Sequence, residues 1–202
     1  MRKLFTILII SLMLMQSAYA FSFNKKQEEP KVDTVTEQAK VMYAQNEIDK
    51  AYSILESKPE DERSAQDWLM MGNIMQDKEQ IDKAVFMFNQ AINKEPKFYK
   101  AHYNLGYIYL SKNQPNMALN EFKQAVKYKP DFAYGYYNIG CAYLQLGKYS
   151  TAKYNFFKAQ DLKPNEPNIY YNIAYAYKKM GKDKQAQTYL DIYNKMIEEH
   201  QF

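Results

Sequence analysis

One spacing governs what this chain can fold into: Pro96, Pro130 and Pro164 stand 34 residues apart, and several other residue types keep the same step. Ala84, Ala118, Ala152 and Ala186 repeat with it, as do Phe88, Phe122, Phe156 and Leu190. Gly72, Gly106, Gly140 and Ala174 form a third series, each preceded by an apolar residue, Met71, Leu105, Ile139 or Ile173. A fixed period of this size marks a stacked-repeat architecture rather than one closed core. The four units are 65–98, 99–132, 133–166 and 167–200.

Each unit reads as two helices. In the third, Tyr136, Ile139, Gly140 and Tyr143 fall at i, i+3, i+4 and i+7, one face of a helix, and Ala152, Phe156 and Ala159 make a second stripe. Gly147 lies between them, and Gly181 holds the same place in the fourth unit, where a left-handed residue can end the first helix. Pro130 and Pro164 disfavour helix in the residue before them, so Lys129 and Lys163 mark the ends of second helices. A lone hairpin cannot bury both its faces, and stacking supplies the missing contacts.

The pattern resembles the tetratricopeptide repeat. Tyr136, Ile139, Gly140, Tyr143, Ala152, Phe156, Ala159 and Pro164 fill every signature place of that family in the third unit. Trp68, Met71, Gly72, Met75, Ala84, Phe88, Ala91 and Pro96 do nearly as well in the first. The second unit departs at His102, where a bulky apolar residue is usual, and the fourth ends on Tyr193 and Glu198 instead of Ala and Pro. That last helix has no following repeat to receive it and is expected to run on through residues 194–199 as a cap. Ala39, Ala51 and Leu55, with Pro59 after them, suggest a degenerate N-terminal hairpin over 33–62. The resemblance implies an all-α fold, a right-handed α-solenoid of stacked helix-turn-helix hairpins.

It also implies a concave groove lined by the first helix of each unit and used to hold peptides or proteins. On that frame the candidate binding residues are Lys100, Tyr103, Tyr107, Tyr134, Tyr137, Tyr171 and Tyr175. The six tyrosines would face the groove rather than the hairpin interior, each a flat apolar body with a hydroxyl that donates or accepts. Such a row suits an extended polypeptide, with sugar rings as the alternative ligand; plain half-buried packing is the simplest account. A clamp for a terminal carboxylate, known in the family, is excluded: Asn73 and Asn104 match it, but its cationic places hold Leu69, Tyr134 and Asn138. Asn104, Asn138 and Asn172 recur at one place and read as structural.

Residues 1–20 have the layout of a secretory signal, with Arg2 and Lys3, an apolar run from Leu4 to Met15, and Ala18-Tyr19-Ala20. The run is 12 residues long, where a bilayer span takes about 20. Cleavage after Ala20 is therefore expected, giving an exported product, periplasmic or secreted, that does not span a membrane; an uncleaved anchor is the weaker alternative. A polar linker, 21–32, follows. Export disfavours nucleic acid as a partner. Cys141 is the chain's one cysteine, so no internal disulfide forms, and it reads as a small apolar filler.

Residues 21–98 carry 11 basic against 15 acidic residues, and 99–202 carry 14 against 8. The electropositive C-terminal part is read first as a solvated face, then as a site for an acidic partner or polymer, or for head-to-tail self-association. His102 and His200 are far apart in the array with no ligand cluster around them, so no metal is expected. No nucleophile-elbow, zincin or P-loop pattern occurs, so no catalytic residue and no cofactor is assigned.

Overall fold

The computed structural model describes residues 33–199, and the regular structure within them is helical throughout. The export signal and polar linker read from the sequence lie outside the described residues, as does His200. Helices α1 (Thr34–Ala44) and α2 (Ile48–Glu56) make a first hairpin. A single 3₁₀ turn, Glu60–Glu62, leads into α3 (Ala65–Asp77) and α4 (Ile81–Lys94). Three more hairpins follow: α5 (Tyr99–Ser111) with α6 (Pro115–Tyr128), α7 (Ala133–Gln145) with α8 (Tyr149–Leu162), and α9 (Pro167–Lys179) with α10 (Asp183–Glu199). Each hairpin closes on itself and then rests on the next in sequence, so the fold is an all-α solenoid.

The turn inside every hairpin is the same device. Asn46, Glu79, Asn113, Gly147 and Gly181 all have φ between 56° and 70°. In the turn after α7 the Gly147 amide donates to the Leu144 carbonyl and the Lys148 amide to the Tyr143 carbonyl, each at 2.9 Å, a Schellman closure. The other four turns repeat that pair of bonds. The sequence reading recognised only the two glycines; Asn46, Glu79 and Asn113 hold the same conformation with a Cβ. At the far end of the second helices, Glu95, Lys129 and Lys163 are extended, with φ of −139°, −135° and −145°. Pro96, Pro130 and Pro164 follow them, and proline crowds the preceding residue out of helical conformation.

Close approach within a hairpin rests on a missing side chain. A Cβ built on Gly72, Gly106 or Gly140 would lie 2.4, 2.7 or 2.5 Å from the nearest ring atom of Phe88, Phe122 or Phe156. Those rings are fully buried, and each sits between two fully buried alanines of its own helix, such as Ala152 and Ala159 around Phe156. The fourth unit has Ala174 and Leu190 at these places, a larger residue facing a smaller one. Helix α10 has 17 residues where α4, α6 and α8 have 14, and Ala186 is its one buried position.

Two buried polar assemblies escaped the repeat pattern. The first ties the N-terminal hairpin to the first full unit. Asp67 is fully buried and accepts from Thr36 Oγ1 at 2.6 Å, Lys58 Nζ at 2.6 Å and the Ser64 amide at 2.8 Å. Lys58 also pairs with Asp33, whose carboxylate caps α1 through the Val35 and Thr36 amides. Burial alone would push the Asp67 carboxyl up, but hydrogen bonds from Lys58, Thr36 and Ser64 outweigh it and hold it down. The Lys58 hydrogen bond likewise lowers Asp33, to about 2. Ser64 and Asp67 form a reciprocal capping box at the start of α3, so a Ser-x-x-Asp signal was present in the sequence.

The second assembly is His102, the departure in the second unit. It is buried, with Nδ1 2.7 Å from Glu121 Oε2 and Nε2 3.0 Å from the Pro96 carbonyl. Both ring nitrogens face acceptors, which suits the doubly protonated ring. Burial opposes that charge, but Glu121 and the Pro96 carbonyl raise the imidazole above its ordinary range.

Candidate binding face

The candidate residues lie on the first helices of successive hairpins, Lys100, Tyr103 and Tyr107 on α5, Tyr134 and Tyr137 on α7, Tyr171 and Tyr175 on α9. Helical spacing puts residues four apart on one face, which is why Tyr103 and Tyr107, and Tyr171 and Tyr175, come together. Tyr107, Tyr134, Tyr171 and Tyr175 are 49%, 42%, 47% and 38% exposed, and Lys100 is exposed beside them.

Tyr103 and Tyr137 differ from the expectation that they point away from the hairpin interior. Their rings are half-buried against Phe122 and Phe156, at centroid distances of 5.8 and 5.7 Å. Their hydroxyls are engaged by the following unit: Asn138 Nδ2 donates to Tyr103 at 3.0 Å and Asn172 Nδ2 to Tyr137 at 2.8 Å. One unit earlier Asn104 Nδ2 donates to Asn73 Oδ1 at 2.7 Å. The recurring asparagines therefore join neighbouring repeats, as the structural reading of them supposed. Burial first, with further help from Cys141, raises the Tyr137 phenol above its usual range.

At the junction of the third and fourth units, Tyr134, Tyr137, Lys163, Glu166, Asn168 and Ile169 enclose a hollow of about 60 Å³. Lys163 Nζ lies 4.3 Å from the centre of the Tyr134 ring, hydrogen-bonds its hydroxyl, and pairs with Glu166 at 3.1 Å. The Tyr134 hydroxyl, then Glu166, holds the Lys163 ammonium above its ordinary range. That tether fixes one edge of the exposed Tyr134 ring. Cys141 lies beneath the face, and burial pushes its thiol up to about 12, which leaves it protonated and unreactive.

Repeat models of one kind match much of this framework. A model described as TPR repeat matches residues 106–147 and 140–181, and two described as tetratricopeptide repeat match 87–120 and 169–200. Together the matched stretches run without a break from residue 87 to residue 200. The chain belongs to the tetratricopeptide repeat family. Its members are protein-binding scaffolds, and these repeats make this chain one of that type.

No curated protein sequence matches the chain. Among solved structures, MamA residues 41 to the end from Desulfovibrio magneticus RS-1 is similar to this tetratricopeptide repeat chain, with a TM-score of 0.75 at 19% identity. The match covers 85% of this chain and 97% of that one. A MamA structure designated AMB-1 has a TM-score of 0.72 at 20% identity, covering 81% of this chain and 98% of that one. A third, designated MSR-1, has a TM-score of 0.70 at 21% identity, with 82% and 96% covered. At these identities the likeness is one of fold.

Proposed function

We propose that this protein is an exported, non-catalytic adaptor that holds an extended segment of a partner protein on the face formed by α5, α7 and α9. The observation that carries the reading is the row of exposed rings, Tyr107, Tyr134, Tyr171 and Tyr175, on helices whose spacing is pinned by side-chain hydrogen bonds between repeats. Preorganised aromatic surface binds with little loss of side-chain freedom, since tyrosine has only two rotatable bonds to order. The engaged hydroxyls of Tyr103 and Tyr137 serve the scaffold, and the exposed parts of the other four rings, with Tyr134 held in place by Lys163, serve the ligand. The export layout of residues 1–20 supports work in the periplasm or outside the cell, in envelope assembly or secretion.

Affinity capture from the exporting cell's envelope extract tests the partner. The chain is compared with a Tyr107→Ser, Tyr134→Ser, Tyr171→Ser variant, all at exposed positions so that the fold is kept. A protein retained by the parent and lost by the variant is the expected result. Equal retention, or retention of cell-wall fragments in place of protein, overturns the reading. Intact mass of the chain recovered from those cells tests export, since removal of residues 1–20 is expected and an uncut chain refutes it.

A further inference from the structure

Comparison of the repeats with one another exposes two incomplete surfaces, one at each end of the array. Ile74, Ile108, Ala142 and Ala176 occupy one place on successive first helices and are at most 2% exposed. In the inner units this place is on the side that faces the preceding hairpin. The same register on α1, counted from the left-handed turn residue, falls on Val41, which is 50% exposed. Val41 lines an open hollow of about 430 Å³ with Glu37, Gln38, Met42 and Ile54. The head of the solenoid thus keeps the apolar character of an inner surface.

The tail shows the complementary surface. Inside the array, Ile169 and Ile173 of α9 pack on Ala152, Phe156 and Ala159 of α8. The equivalent seat on the last described hairpin is built from α9 and α10. It is an open cavity of about 300 Å³, lined by Tyr171, Ala174, Tyr175, Lys178, Ala186 and Leu190, among others. Tyr171 and Tyr175 are exposed here, whereas Tyr137 and Cys141, at the same places one unit earlier, are covered in part by α9.

We propose that these two ends are the two halves of one interface, and that the α1–α2 end of one copy seats on the α9–α10 end of a second copy. The occupant is argued from two observations. First, the contact continues the stacking already made between hairpins within the chain: α1 presents Val41 where inner first helices present the residue that a preceding hairpin buries. Second, the charges are complementary. Over the first hairpin, residues 33–58, five acidic residues stand against Lys40, Lys50 and Lys58, while over the last, residues 167–199, five lysines stand against four acidic residues, with Lys178 lining the tail cavity itself. A two-fold dimer would set like ends, and like charge, together. Head-to-tail contact is heterologous and builds rings or open filaments.

Sedimentation and light scattering of the purified full chain test this. The parent's mass is expected to rise above that of one chain with concentration and to fall with added salt, which screens exposed charge. Val41→Glu blocks only the head, and Lys178→Glu with Gln187→Glu only the tail; all three positions are exposed, and helical circular dichroism checks that the variants fold. Each variant alone is expected to remain a single chain. Mixed in equal amounts, they are expected to form a dimer and nothing larger, because their contact uses the one open tail and the one open head and leaves only blocked ends. A parent that stays a single chain, as it would if residues preceding α1 covered the head, overturns the proposal. So does a blocked variant that assembles like the parent, or a mixture that stays as single chains. Tyr171 and Tyr175 belong to both the tail seat and the proposed partner face, so capture is repeated with Tyr107→Ser, Tyr134→Ser alone, which leaves the tail cavity intact and makes the two readings succeed or fail independently.

Discussion

Replacing Gly140 with alanine sets two energies of opposite sign against each other, and the packing of Phe156 decides the outcome. A Cβ at 140 would lie 2.5, 2.7 and 2.8 Å from Cε1, Cδ1 and Cζ of that ring, against an ordinary carbon contact of about 3.5–4.0 Å. The ring must retreat by about 1 Å, yet it is fully buried in a close-packed hairpin. Overpacking of this kind costs about 1–3 kcal/mol, and the gain of alanine over glycine in a helix returns about 1 kcal/mol. Gly140→Ala should therefore destabilise by about 0–2 kcal/mol. Phe156→Leu leaves a void and should cost about 1–2 kcal/mol by itself, less than full truncation of the ring. The double variant recreates the Ala174 and Leu190 pairing of the fourth unit, so the new methyl fills the void left by the ring. The two changes should then couple, with the double variant at least about 1 kcal/mol more stable than the sum of the single losses. Urea midpoints at an unchanged denaturant slope measure all three. Strict additivity, or a Gly140→Ala variant more stable than the parent, would refute the close-approach argument.

His102 predicts a pH dependence. Because its folded pKa is raised, the stabilisation is fully present below the unfolded value of about 6.5 and is lost as pH rises through the higher folded value. The urea midpoint of the parent should fall over that range relative to His102→Gln, and parallel curves would count against the ion pair with Glu121. Asp67→Ala leaves Lys58 with Asp33 alone and takes the acceptor from Thr36 Oγ1 and the Ser64 amide, so it should cost about 1–3 kcal/mol in thermal or urea unfolding. Asp67→Leu with Lys58→Met should recover most of that loss. Glu79, with φ of 59°, carries a left-handed penalty of about 1–2 kcal/mol, so Glu79→Gly should stabilise by up to about 1 kcal/mol after the added freedom of the unfolded chain. Gly147→Ala should shift the melting temperature the other way.

The repeat was legible because it arises from constraints that recur every 34 residues: proline excludes helix before it, and a ring needs a partner without a side chain. Features made once were not legible in the same way. Lys58 and Asp67 lie nine residues apart and belong to no series, so only the folded chain shows that one buried carboxylate joins two helix starts. Asn46, Glu79 and Asn113 hid because hydrogen bonding around the turn overrides their local preference for φ below zero. Of the tyrosines assigned to the groove, Tyr107, Tyr134, Tyr171 and Tyr175 are exposed. Spacing could not tell that Tyr103 and Tyr137 would meet an asparagine of the next unit, since that bond depends on how far one hairpin rotates over another.

The Lys58 junction also gives the array two unlike ends. In a nearest-neighbour solenoid the terminal units open first, and how readily they open depends on what holds the last seam. Both end seams bury apolar side chains, but the first is also latched by the charges of Asp33, Lys58 and Asp67, whereas the seam between α8 and α9 rests on Ile169 and Ile173 against Ala152 and Phe156 with the neutral Asn172–Tyr137 hydrogen bond. Strong acid, which protonates the two carboxylates, should loosen the first hairpin while the last stays shut. Cooling, which weakens apolar contact, should act on the last seam more than on the latch. Amide exchange would then reveal one molecule that unravels from opposite ends in opposite solvents.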